Sequence, residues 1–205
     1  MAVASELLHV APALQVWQAY DPKARADLFS SAIANRHGLY LVDPIPIEND
    51  ALAELRRKAP IAGIIVTNAN HLRAAPQFAE KFSLPVFARS ESVPNEPNFD
   101  FREVIDGEQI CDDLCVIGID GAVPGEIVLH YAPDGGALIV GDALINFEPY
   151  GFAFLPEKYC SDPKEMRNSL RKLLTHQAGQ MLFAHGTPIT SRAGERLKRL
   201  LDVDL

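Results

Sequence analysis

The chain has few of the residues that let a domain dispense with a large core. It holds 3 cysteines, Cys111, Cys115 and Cys160, in 205 residues. An odd count without paired spacing excludes a disulfide framework, and Cys111 and Cys115 lack the second Cys or His pair a zinc finger needs. Reduced, incidental thiols are therefore expected. Basic charge is also scarce: 19 Lys and Arg stand against 27 Asp and Glu, for a net charge of −8. Nucleic acids and anionic membranes both demand a basic surface, so neither is expected as a partner. No apolar run reaches the roughly 18 residues that span a bilayer. The start, Met1-Ala2-Val3-Ala4-Ser5-Glu6, shows no basic stretch leading into an apolar one. A soluble, cytoplasmic protein is the expectation.

What remains is ordinary core-forming material, 48% hydrophobic and 22% charged. At this length one domain buries about 70% of its unfolded surface, so no staple is needed. No linker, repeat or low-complexity tract divides the chain, and residues 1 to 205 read as a single domain.

Period-two runs at Leu14 to Ala19, Asp27 to Ile33 and Gly38 to Asp43 predict antiparallel strands. Asn49 or Asp50 can cap a helix over Ala51 to Lys58. Ile61 to Val66 is continuous and β-branched, as in a strand covered on both faces. A helix is expected from Leu72 to Phe82, a strand at Val86 to Ala88, and a loop over the prolines of 90 to 100. Further strands are expected at Val104-Ile105, Leu114 to Ile119, Glu126 to Tyr131, Ala137 to Gly141 and Met181 to Ala184. Pro133-Asp134-Gly135-Gly136 reads as a hairpin turn. Residues 147 to 160 read as irregular and aromatic, with Tyr150, Phe152, Phe154 and Tyr159 covering a core. Asp162-Pro163-Lys164-Glu165 starts a helix towards His176, its buried face Met166, Leu170, Leu173 and Leu174. A last amphipathic helix spans Ser191 to Leu201. Two strand-rich halves, each with helices needing a sheet to cover, imply two sheets packed face to face with helices outside.

Four segments, in order, resemble the metallo-β-lactamase fold of glyoxalase II-like hydrolases. Ile64-Ile65-Val66-Thr67 leads into Asn68-Ala69-Asn70-His71-Leu72-Arg73, where the family carries His-x-His-x-Asp-His. Gly121-Ala122-Val123-Pro124-Gly125 resembles Gly-His-Thr-Pro-Gly. Ala137 to Leu144 resembles the strand ending in the zinc-bridging Asp, here Asp142. Ala184-His185-Gly186-Thr187-Pro188 resembles the terminal histidine loop. The resemblance implies an α/β (α+β) four-layer αββα sandwich. It also identifies the former metal-site positions as Asn68, Asn70, Leu72, Arg73, Ala122, Asp142 and His185.

Of those seven only Asp142 and His185 keep the family's ligand, so a divergent member without the dinuclear zinc site is expected. A buried Asp142 without metals needs another cation, and an ion pair with Arg73 is the expected solution. His71 falls at a spacer position, whose side chain points away from the metals. A non-catalytic protein without a cofactor, binding a small anionic molecule near Arg73, His71, Asp142 and His185, is the first reading. The alternative is a hydrolase of an ester, thioester or lactone with one weakly held zinc or other divalent metal on Asp142, His185 and His71. Bland readings stand beside these: Asp142 as a turn cap, His185 as a structural loop histidine, Asp43 as a turn residue. Ser90, Ser92, Ser161 and Ser191 have no nucleophile-elbow context.

Overall fold

The computed structural model describes residues 3–93 and 99–203. The chain opens with four antiparallel strands, β1 (Leu8–Ala11), β2 (Leu14–Asp21), β3 (Ala26–Asn35) and β4 (Gly38–Val42). Helix α1 (Asn49–Lys58) then crosses over to β5 (Ile61–Ile65), which pairs with β4 in parallel. Helix α2 (Ala75–Phe82), β6 (Val86–Ala88) and β7 (Arg102–Glu103) continue the parallel edge. Among the described residues this sheet has seven strands in sequential order.

A second sheet of five strands follows. It comprises β8 (Gln109–Cys111), β9 (Leu114–Gly118), β10 (Ile127–Tyr131) and β11 (Ala137–Val140), with β14 (Gln180–Phe183) parallel to β11. Strands β12 (Leu144–Phe147) and β13 (Gly151–Phe154) form a separate hairpin. Helix α3 (Pro163–Leu170) precedes β14, and α4 (Ala193–Asp202) follows it.

Three apolar clusters define the layers. Val16, Phe29, Ile33 and Ile65 of the first sheet meet Val116, Leu129, Ile139 and Leu182 of the second, forming the centre of the sandwich. Leu39, Leu41 and Ile64 on the outer face of the first sheet pack against Leu52, Leu55 and Phe78 of α1 and α2. Val128, Leu138 and Met181 do the same for Met166, Leu170, Leu197 and Leu201 of α3 and α4. Alternate residues of one strand thus serve both faces, the period-two logic that requires apolar residues throughout a doubly covered sheet. The αββα sandwich is the architecture expected from the sequence.

Some element bounds differ from those expectations for local reasons. Helix α2 begins at Ala75 rather than Leu72, because Arg73 has φ +43°, a left-handed conformation no helix residue adopts, and Pro76 suits the first turn. Helix α1 starts two residues early, with Glu48 at the N-cap and no side-chain cap. The seventh strand is Arg102–Glu103, just before the expected Val104-Ile105. Residues 147 to 160 are not wholly irregular, since β13 returns along β12. Leu174 is 39% exposed rather than buried, because α3 ends at Leu170 and a 3-10 turn rotates the following residues. The α3 start is as read: the Asp162 carboxylate accepts from the backbone N–H groups of Lys164 and Glu165. The expected loop at 90 to 100 opens with a 3-10 turn, Ser90–Ser92, and its middle lies outside the described residues. Among the described residues no helix is long and apolar enough to cross a membrane.

Candidate metal centre

The carboxyl ends of β4, β5, β11 and β14 lie at one rim of the sandwich, and each carries a polar residue just beyond it. Asp43 follows β4, Thr67 to Arg73 follow β5, Asp142 follows β11 and His185 follows β14. The two sheets are tied there by backbone bonds from Ile127 N–H to the Thr67 carbonyl (2.8 Å) and from Phe29 N–H to the Ala184 carbonyl (2.9 Å). Strand ends leave backbone groups unpaired and side chains convergent, which is why open α/β sheets place ligands there.

His71 is at the centre. Contrary to its expected outward direction, it is 1% exposed and its ring faces Asp142. The Asp43 carboxylate accepts from Thr67 N–H (2.8 Å), Thr67 Oγ1 (2.5 Å) and His71 Nδ1 (2.9 Å). Since Asp43 is the acceptor, the proton is placed on Nδ1 and Nε2 is turned to the other side of the ring. There Nε2 lies 3.2 Å from Asp142 Oδ1, but without the alignment a hydrogen bond requires, so it is a buried nitrogen lacking a hydrogen-bond partner. His185 Nε2 lies 3.3 Å from the same oxygen. One ligand atom from each of His71, Asp142 and His185 falls within 4.8 Å of the others.

The remaining positions have other employment. Asn70 donates to Asp142 Oδ2 (3.3 Å). Asn68 donates to Glu126 Oε2 (2.7 Å), and its own oxygen accepts from Asn70 N–H (2.9 Å). Leu72 packs against the outer core of the first sheet and Ala122 lies in that of the second, so neither faces the polar cluster.

The expected Arg73–Asp142 ion pair does not form. Arg73 donates instead to the carbonyls of Phe29 (2.5 Å), Asp43 (3.1 Å) and Ala184 (3.5 Å). The guanidinium lies beneath the rim, where the carbonyls of Phe29 within β3 and of Asp43 and Ala184 beyond β4 and β14 converge. Position 73 thus clasps the two sheets together, and His71 supplies the cation facing Asp142.

Burial dominates the electrostatics and is then overruled. It pulls His71 down, yet Asp142 and Asp43 outweigh both burial and Arg73 and lift it from 6.5 to about 9. Burial pushes Asp142 up, yet the charge of His71, with His185 beside it, holds it well below the usual carboxylate range. Glu126 follows its burial: with Asp142 adding repulsion it rises to about 8.

A profile of the metallo-beta-lactamase superfamily matches residues 7–203. The chain belongs to that superfamily. Among solved structures, DIM-1 metallo-beta-lactamase superposes with a TM-score of 0.77 at 11% identity, covering 100% of this chain and 99% of that one. A metallo beta lactamase from Erythrobacter litoralis, solved with beta mercaptoethanol in its active site, gives 0.72 at 16% identity over 96% of each chain. A beta-lactamase domain protein from Burkholderia ambifaria gives 0.68 at 18% identity, covering 95% of this chain and 75% of that one. The comparison with curated proteins found no match. Identities this low share a fold and not a chemistry, so the chemistry of this superfamily member has to be argued from its own residues.

Sequence reasoning missed Glu126 as a site residue and weighed Asp43 mainly as a turn. The signal for Glu126 was an acidic residue opening the apolar run Ile127-Val128-Leu129, a polar residue where the pattern predicts a buried one. Its buried carboxyl reaches Asn68 on one side and Ala143 N–H (2.9 Å) on the other.

Proposed function

We propose that this superfamily member is a hydrolase of an ester, thioester or lactone that uses one divalent metal ion held by His71, Asp142 and His185. The observation that supports it is the His71 ring: a buried Nε2 without a hydrogen-bond partner, turned towards Asp142 Oδ1 by an Asp43 carboxylate locked onto Nδ1. A carboxylate behind a ligand histidine fixes the tautomer and raises the basicity of the free nitrogen, the usual arrangement in metal sites. Two imidazoles and one carboxylate suit zinc or a similar borderline ion, and three protein ligands leave a coordination position for substrate. Such an ion supplies Lewis acidity towards a substrate carbonyl oxygen. The chain does the rest: Asn70 restrains Asp142 Oδ2, and Asp43 with Thr67 keeps the His71 ring from rotating. Asn70 is exposed and the His185 side chain is 20% exposed, so these two mark the solvent side.

Metal analysis of protein purified without chelators tests this reading, with about one zinc, iron or manganese per chain expected. Hydrolysis of a panel of small esters, thioesters and lactones should then depend on that metal. Absence of bound metal after dialysis against excess zinc rejects the proposal.

A second reading, a non-catalytic binding protein, is favoured by charge balance. Asp43 and Asp142 are matched by Arg73 and a protonated His71, so the cluster is neutral without an ion. A metal must displace the proton from His71, which makes affinity rise with pH and separates the two readings experimentally. In the metal-free form Arg73 spends donors on carbonyls, so a small anion would have to be met by His71 and His185.

A further inference from the structure

We infer that Glu126 is a positioning residue for the metal site, acting through Asn68 and Asn70 on the carboxylate of Asp142. The inference rests on the single-metal reading above and concerns how this chain keeps one carboxylate oxygen available to an ion. The links are continuous: Ala143 N–H donates to Glu126 Oε1, Asn68 Nδ2 donates to Glu126 Oε2, Asn70 N–H donates to Asn68 Oδ1, and Asn70 Nδ2 donates to Asp142 Oδ2. Asp142 therefore has one oxygen tethered from the Asn side and the other, Oδ1, facing both imidazoles.

The backbone is shaped around this relay. A side chain at Gly141 would bring its Cβ within 2.6 Å of Thr67 Oγ1, 2.8 Å of Glu126 Oε1 and 3.0 Å of Asn68 Nδ2. Only a glycine lets the strand pass that close to both polar branches leading to Asp142. Glu126 itself is 0% exposed, an expensive place for a carboxyl unless its hydrogen bonds set something else in place. Asn68 Oδ1, the atom through which an amide ligates, accepts from Asn70 N–H, and its Nδ2 is held by Glu126, so position 68 directs the loop instead of ligating.

Zinc titration by calorimetry, with a thermal melt on each sample, tests the relay. Glu126→Gln turns an amide N–H or a poorer acceptor towards Asn68 and should weaken zinc binding by about 10–100-fold, as loss of an outer-sphere partner does. Adding Asn68→Asp restores a donor–acceptor pair with reversed polarity while still accepting from Asn70 N–H, and should recover most of that affinity at one zinc per chain. A Glu126→Gln protein that binds zinc like the wild type overturns the inference, as does a folded double variant with no recovery. If the single variant does not fold, Asn70→Ala cuts the last link at an exposed position: weakened binding supports the relay and unchanged binding overturns it. A wild type that takes up no zinc overturns this inference together with the reading beneath it, whereas unchanged affinity in the variants overturns this one alone.

Discussion

The two sheets contribute to the centre on different terms. The five-stranded sheet supplies Asp142 and His185, just beyond the ends of β11 and β14. The seven-stranded sheet supplies the loop from Thr67 to Arg73, from which His71 faces inward towards Asp142. A strand end fixes which residue points where, because neighbouring strands on both sides set its register. A loop has no such restraint. One left-handed residue, Arg73, turns the chain within it. The strand-end contribution is thus held rigidly and the loop contribution adjusts locally, a contrast that mutation can break.

The sharpest way to break it is at Asp142, where both contributions meet. Asp142→Asn removes the charge facing His71 and His185 and leaves the buried His71 ring with Asp43, already shared with Arg73, as its one carboxylate partner. In metal-free protein this should cost about 3–5 kcal/mol, measured by urea unfolding near pH 7. The same variant should lose zinc binding altogether. If it loses less than about 1 kcal/mol, the range of an exposed pair, the cluster is not the electrostatic unit described here.

Arg73 tests the loop side alone. Arg73→Ala strips charged donors from the carbonyls of Phe29, Asp43 and Ala184, with an expected loss of about 3 kcal/mol. Arg73→Lys keeps the charge but not the planar fork and should recover only part of it. A Lys variant as stable as wild type would mean that charge alone matters at this position.

How far the sequence foretold all this follows the same division. The sandwich, the strands ending at Val140 and Phe183, and the N-cap at Asp162 were legible, because apolar periodicity and turn chemistry are local properties. Asp142 and His185 were singled out by resemblance to family motifs, and each follows a strand whose end was legible. The orientation of His71 was not, because it depends on Asp43, 28 residues away and brought near only by the β4–β5 pairing. The fate of Arg73 was misread for a related reason: three carbonyls from separate strands compete successfully for a guanidinium that sequence alone paired with Asp142. Glu126 was passed over because its partner Asn68 lies 58 residues earlier.

Raising the pH sharpens the comparison by weakening the His71 contact. His71 has its folded pKa raised from 6.5 to about 9, so its contribution is complete below pH 6.5 and is lost as pH climbs towards 9. The displacement corresponds to at most about 3 kcal/mol. Glu126, raised from 4.5 to about 8, works in the same direction, since the unfolded chain releases its proton earlier. Metal-free protein should thus be less stable to urea at pH 9 than at pH 6.5, and His71→Asn should flatten the part of that slope above pH 8. A slope that His71→Asn leaves intact would assign the titration elsewhere.

The smallest expected effect is at Gly141, the point where strand-end and loop side chains come closest. An alanine there places its Cβ 2.6 Å from Thr67 Oγ1, a contact that must open. Thr67 cannot simply rotate away, because its hydroxyl is bonded to Asp43 at 2.5 Å and lies 2.9 Å from His71 Nδ1. The strain should therefore pass into the His71 ring rather than dissipate, costing about 1–3 kcal/mol as overpacking does. Zinc affinity is the more telling readout. If loop and strand end form one mechanical unit, Gly141→Ala weakens zinc binding although it touches no ligand. If affinity holds while stability falls, the loop adjusts independently of the strand end.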